Sequence, residues 1–125
     1  MNIYVWGTGC GAGELVDFGL DASRVTAFID SEPPAECFLG RPVIRPEALS
    51  DRAVDLILVA SRHADEIAAR AAALGIDEEK LLFLRSNWRL SDRNRDYAAA
   101  EEFAERLALP VVMGSLHKGV YTCLR

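Results

Sequence analysis

Ile3-Tyr4-Val5-Trp6-Gly7-Thr8-Gly9-Cys10-Gly11-Ala12-Gly13 is an apolar run that opens into a glycine-rich turn at the start of the chain. It predicts a first strand that delivers the backbone to a phosphate-sized hollow. Of the frames available to the dinucleotide fingerprint G-x-G-x-x-G/A, only the one using Gly7, Gly9 and Ala12 closes. Starting at Gly9 puts Glu14 in the third position, and starting at Gly11 puts Val16 there. In the closing frame Gly7 allows the sharp turn out of the strand, and Gly9 lets backbone approach a pyrophosphate. The small Ala12 lets the following helix lie on the sheet.

Working outward, Glu14-Leu15-Val16-Asp17-Phe18 predicts a short helix with Gly19 as its cap. Residues 24–29 form a β-branched and apolar run ending at Asp30. That is about twenty residues past the fingerprint, the spacing at which an acidic side chain meets a ribose 2′-hydroxyl. Residues 31–42 carry adjacent prolines and no helical period, and predict a loop. Val43-Ile44 then reads as a short edge strand and Pro46-Glu47-Ala48-Leu49 as one helical turn with proline at its first position. Asp55-Leu56-Ile57-Leu58-Val59-Ala60 is the most continuous apolar run, as expected of a central parallel strand buried on both faces beside the first. Ser61-Arg62-His63 leads into a helix over residues 64–74 with Ala64, Ile67, Ala68, Ala71 and Leu74 on one side, and Gly75 ends it. Residues 81–84 are the next buried strand.

Residues 85–95 turn polar and basic around Trp88, a connector that suits a phosphate, an acidic partner, an attached domain or plain solvent. Ser91 or Asp92 can cap a last helix running to about Leu107, with Tyr97, Ala100, Phe103, Ala104 and Leu107 inward, and Pro110 stops it. Val111-Val112-Met113 and residues 120–124 read as a terminal strand pair. The expected class is α/β: a doubly wound, mostly parallel Rossmann-like sheet ordered 3-2-1-4-5, with a C-terminal helix and strand pair. Residues 1–84 form the nucleotide-binding-like core, and residues 85–125 a connector, helix and strands packed on the same domain.

A chain of 125 residues suits one domain, and its 50% hydrophobic content suits a packed core. A net charge of −5 argues against binding driven by the phosphates of nucleic acid or of an anionic membrane. Cys10, Cys37 and Cys123 have no C-x-x-C spacing, and no apolar run reaches the length of a membrane span. The strand begins directly after Met1 and Asn2 with no basic leader, so a reducing, cytoplasmic location is the expectation.

The chain resembles the small Rossmann-like modules at the N-terminus of sugar methyltransferases of the macrocin O-methyltransferase (TylF) and FkbM type. The residues that carry the resemblance are Tyr4-Val5-Trp6-Gly7-Thr8-Gly9, Phe28-Ile29-Asp30-Ser31, Gly40-Arg41-Pro42-Val43-Ile44-Arg45-Pro46-Glu47 and Leu56-Ile57-Leu58-Val59-Ala60-Ser61. Asn87-Trp88-Arg89-Leu90-Ser91-Asp92-Arg93-Asn94-Arg95-Asp96-Tyr97 extends it. The resemblance implies an accessory nucleotide- or cofactor-binding module in glycan or natural-product modification. Such modules precede a methyltransferase domain, so S-adenosylmethionine chemistry would belong to a separate domain and not to these 125 residues.

The candidate binding residues are Gly7, Thr8, Gly9, Cys10, Gly11, Ala12, Asp30, Ser31, Ser61, Arg62 and His63. The turn either binds a phosphate through backbone N–H groups or merely closes the fold, and Glu14 would compete with an incoming anion. Asp30 either holds a ribose, favouring NAD over NADP by repelling a 2′-phosphate, or is the polar end of a strand. Arg62 can clamp a phosphate and His63 can act as acid or base, against the plainer reading of a capping serine followed by a solvated pair. Cys10 is either a thiolate at a helix N-terminus or a small buried side chain. No catalytic residue is assigned beyond His63 as a candidate, and no metal site is expected. NAD or a nucleotide-sugar is the expected ligand, with a methyltransferase domain or a second copy as possible partner. A small NAD-dependent reductase, part of a sugar methyltransferase, and an interaction domain with a vestigial pocket are the alternatives.

Overall fold

The computed structural model of the protein describes residues 1–8, 12–13, 20–85 and 89–106. The central strands are β1 (Ile3–Trp6), β2 (Val25–Ile29), β5 (Leu56–Val59) and β6 (Leu81–Arg85). Toward the edges lie β3 (Cys37–Phe38), β4 (Arg41–Ile44) and β7 (Arg89–Leu90), and the helices are α1 (Ala64–Ala73) and α2 (Tyr97–Arg106). The sheet of the described residues runs β3-β4-β2-β1-β5-β6-β7. The strands from β4 to β6 are parallel, and β3 and β7 join antiparallel at the two edges.

This order corrects the expected 3-2-1-4-5. The proline-bearing stretch read as a loop contains β3, because Cys37 and Phe38 fold back on Pro42 and Arg41. The two residues of the turn, Leu39 and Gly40, have φ of 50° and 79°. Positive φ at both central positions is the backbone of a type I′ turn, whose twist matches that of the flanking strands. Local composition hid the hairpin because leucine is an unusual occupant of a left-handed position. The β4 strand is consequently internal and not an edge. It pairs with β2 only at Phe28–Val43 and Ile29–Ile44. Beyond the end of that ladder Arg41 supplies the missing donors, with Nε 2.6 Å from the Val25 carbonyl and Nη2 3.2 Å from that of Ser23.

Strand alternation sends successive side chains to opposite faces, and both faces are covered. Ile3, Val5, Phe28, Leu56, Leu58, Leu82 and Leu84 join Ala12, Leu20, Leu90, Ala100 and Ala104 on one side. Tyr4, Trp6, Ile29, Ile57, Val59 and Phe83 meet Ile67, Ala68 and Ala71 of α1, with Leu49, on the other. Each large side chain so buried contributes roughly 1.5–3 kcal/mol. Leu49 belongs to a 3-10 helix, Pro46–Asp51, that starts with proline at N1/N2. Helix α1 closes with the Ile76 N–H on the Ala71 carbonyl and the Gly75 N–H on that of Ala72, both 3.0 Å, the paired bonds of a Schellman motif.

The connector, whose composition left a phosphate, an acidic partner, an attached domain and solvent open, is tied down by two of its own side chains. Asn94 is buried and lies against β6, accepting from the Phe83 N–H at 2.9 Å and donating to the Phe83 carbonyl at 3.0 Å and the Ser91 carbonyl at 2.6 Å. Its amide thus continues the sheet edge past β7. Arg93 sits 5.3 Å over the Phe83 ring, with Asp65 2.9 Å from Nε and Glu78 3.4 Å from Nη1. The Asp65 carboxylate lies off the N–H direction, so the buried Nε is held by charge without a directed hydrogen bond. Helix α2 is capped by Asp96, whose Oδ1 accepts from the Ala99 N–H at 3.1 Å, and not by Ser91 or Asp92. Tyr97, expected inward, is 40% exposed. The helix expected over Glu14-Leu15-Val16-Asp17-Phe18, Gly19, Trp88, Leu107 and the terminal strand pair lie outside the described residues.

Candidate functional site

The candidate site lies where the parallel strands end. Trp6 is level with Ile29 on one side and Val59 on the other, and Ile29 is level with Ile44. The next residues therefore line up along the carboxyl edge as Arg45, Asp30, Gly7 and Ala60. From β1 the chain proceeds outward through β2 to β4, then returns to place β5 on the other flank. The β1–β5 boundary is therefore a reversal point, the position where open parallel sheets leave a crevice.

Gly7 stands at that boundary with φ of 131°, a conformation that L side chains rarely adopt. A Cβ there would meet the Ala60 carbonyl oxygen at 2.8 Å. Two bonds hold the backbones together: the Gly7 N–H to the Ile29 carbonyl, 2.8 Å, and the Ala60 N–H to the Trp6 carbonyl, 3.0 Å. The expected part played by Gly7 in the turn thus has a second cause, the closeness of β5. Ala12 is helical and buried in the core, as its small size allows. Gly9, Cys10 and Gly11 lie outside the described residues.

Thr8 and Asp30 are joined, the Thr8 hydroxyl donating to Oδ2 at 2.5 Å. Oδ1 accepts from the Glu32 N–H at 2.9 Å, closing a turn at the end of β2. A carboxylate has about four acceptor sites, so two of them are used and two are left. Asp30 therefore pins the glycine turn to the neighbouring strand and keeps capacity for a further donor. Ser31 is exposed, and its carbonyl accepts from Arg45 Nη1 at 3.1 Å. Sequence reading missed Arg45. The signal available was a basic residue ending β4 just before Pro46, but its proximity to Ser31 depends on β4 pairing beside β2.

Ser61 accepts from the His63 N–H at 3.1 Å, a local turn in front of α1. His63 itself occupies the N-cap without a side-chain cap bond, so Ser61 closes the approach to the helix and does not cap it. Arg62 and His63 are exposed, and neither side chain has a hydrogen-bond or ion-pair partner among the described residues. Chemically, the edge offers the backbone of Gly7 in a left-handed conformation, a carboxylate with spare capacity, and two guanidinium groups, Arg45 and Arg62, beyond the ends of the strands to either side.

Among the described residues no three His, Cys, Asp or Glu side chains gather to hold a metal ion, and no helix is long and apolar enough to cross a membrane. No curated protein matches the chain. Residues 1–82 match the family model described as C2185-like, N-terminal, and since that is more than half of the sequence the chain belongs to this family.

Proposed function

We propose that the protein binds a small phosphate-containing ligand, a nucleotide, nucleotide-sugar or dinucleotide, across the carboxyl edge of β1, β2 and β5. The residues engaged are the turn from Gly7 to Ala12, Asp30 and Ser31, and Ser61, Arg62 and His63. The observation that carries the reading is Gly7, whose positive φ and close approach to Ala60 put the start of the glycine-rich stretch at the reversal point of the sheet. Phosphate would lie on backbone N–H groups of the turn, with Arg62 supplying charge. The resemblance to modules of sugar methyltransferases supports a setting in sugar or natural-product modification, with methyl transfer carried by another domain. The exposed Cys37 thiol fits a reducing, cytoplasmic compartment.

A thermal-shift panel of NAD, NADP, UDP-sugars, coenzyme A and S-adenosylmethionine tests this. Stabilisation of about 2.7 kcal/mol is expected at a hundredfold excess of a true ligand over its Kd. Arg62→Ala should leave the unliganded melting temperature unchanged and weaken binding about tenfold. Silence across the panel refutes the reading. A second reading, an interaction domain with a vestigial pocket, is favoured by one observation: both oxygens of Asp30 already accept hydrogen bonds from the protein.

A further inference from the structure

We infer that Arg45 and Ser31 make the site select a ribose carrying a 2′-phosphate over one with a free 2′-hydroxyl; the inference rests on the nucleotide-binding reading above. Asp30 taken alone argues the opposite, since a free carboxylate at this position accepts from the 2′-hydroxyl and repels a phosphate.

Three observations change that balance. Asp30 is not a free carboxylate: Thr8 and the Glu32 N–H each donate to it, and the two bonds hold both oxygens to protein groups. Donors on both oxygens draw off part of the charge that a nearby anion would meet. The next residue brings a cation, because Arg45 reaches across from the end of β4 to the Ser31 carbonyl. That bond uses one of the five guanidinium N–H donors and leaves four. Finally, Arg45 is exposed and makes no ion pair with a carboxylate among the described residues. In contrast, Arg70 and Arg93 are both paired, with Glu47 and with Asp65 and Glu78.

The placement is not accidental to one side chain. The Asp30 N–H bonds the Ile44 carbonyl at 3.0 Å, so the ends of β2 and β4 are held together by backbone one residue before Arg45. Pro46, buried at the start of the following 3-10 helix, fixes the chain on the other side. A guanidinium anchored in this way, beside an exposed serine, offers a planar fork of donors to a dianionic phosphate. The ribose 2′-position of a ligand whose pyrophosphate lies on the Gly7 turn would fall at the end of β2, next to both groups.

The test compares adenosine 2′,5′-bisphosphate with 5′-AMP, and NADP with NAD, by calorimetry on the intact chain. The wild type should bind each 2′-phosphorylated probe about tenfold or more tightly than its partner. Arg45→Ala should bring the ratio to near unity, with the larger loss of affinity falling on the 2′-phosphorylated probes, and Arg45→Lys should give an intermediate ratio because it keeps the charge and loses the fork. Because Arg45 is exposed, the alanine variant should fold as the wild type does, and matching circular dichroism spectra check this. A ratio near unity in the wild type, or one that survives Arg45→Ala, overturns the selectivity and leaves the ligand site standing. Failure of all four probes and of the wider nucleotide panel overturns both.

Discussion

Replacing Gly7 by alanine should destabilise the fold more than any other single methyl addition at a described glycine. The native φ of 131° lies outside the regions that L-residues occupy, and holding alanine there costs about 1–3 kcal/mol. The added Cβ also meets the Ala60 oxygen at 2.8 Å, and that oxygen is backbone, on a residue whose own N–H is bonded to Trp6. Relieving the contact means parting β1 from β5 at the heart of the sheet, an overpacking penalty of about 1–3 kcal/mol. The two together come to roughly 4 kcal/mol, a large share of the 5–15 kcal/mol typical of a domain. At about 4 °C per kcal/mol for this size, the melting temperature should fall by about 16 °C. Two other glycines separate the causes. Gly40 has φ of 79° and nothing within 4 Å of the place its Cβ would take, so Gly40→Ala should cost only the backbone strain, about 1 kcal/mol. Gly13 is helical with nothing within 4 Å, so Gly13→Ala should stabilise by up to about 1 kcal/mol. Urea unfolding followed by far-ultraviolet circular dichroism gives all three. Gly7→Ala within about 0.5 kcal/mol of wild type, or equal in cost to Gly40→Ala, would refute the reasoning from the β1–β5 contact.

Two further outcomes follow from the hydrogen bonding. Asn94→Ala removes two buried bonds and one half-buried one and leaves the Phe83 N–H unpaired against the sheet, so it should cost about 2–3 kcal/mol in the same unfolding assay, and a loss under about 0.5 kcal/mol would contradict the edge-closing role. Asp21 accepts from the Ser23 hydroxyl and N–H, which hold its carboxyl below the ordinary value. Its contribution to stability is present above the unfolded pKa and is lost as pH falls through the lowered folded pKa. Carboxyl-detected NMR titration should show Ser23→Ala moving Asp21 back up toward the ordinary range; an unmoved midpoint would assign the shift to another cause.

The parts of the fold legible in the sequence are those governed by short-range pattern. The runs ending in Trp6, Ile29, Val59 and Leu84 are strands because continuous β-branched and apolar residues suit a sheet covered on both faces, and α1 shows its 3.6-residue period in Ile67, Ala68 and Ala71. What escaped is set by pairing partners distant along the chain or by unusual local conformations. Cys37–Phe38 has no strand signal of its own and exists because a Leu39–Gly40 turn returns the chain onto Arg41 and Pro42. Ser91 and Asp92 are as good cap residues as Asp96 by type, but Ser91 and Asn94 are both bonded to Phe83 on β6, and the helix starts after them.

The site divides along the same line. Spacing from the fingerprint singled out Asp30, which follows directly on β2 at the carboxyl edge because strand lengths and crossover geometry recur wherever parallel strands pair. Spacing carries no information on what a carboxylate is bonded to, and the bonds decide its chemistry. With Thr8 and the Glu32 N–H on its two oxygens, Asp30 is tied to the residue that follows Gly7 and to its own strand end. Once that is so, the sign of charge that an incoming group meets at the end of β2 depends on Arg45, fourteen residues from the Ser31 carbonyl that it holds. On the proposed reading, ligand preference at this edge would be a property of the β2–β4 pairing, and a change that loosened the Asp30–Ile44 bond should alter selectivity with the sequence of the glycine turn unchanged.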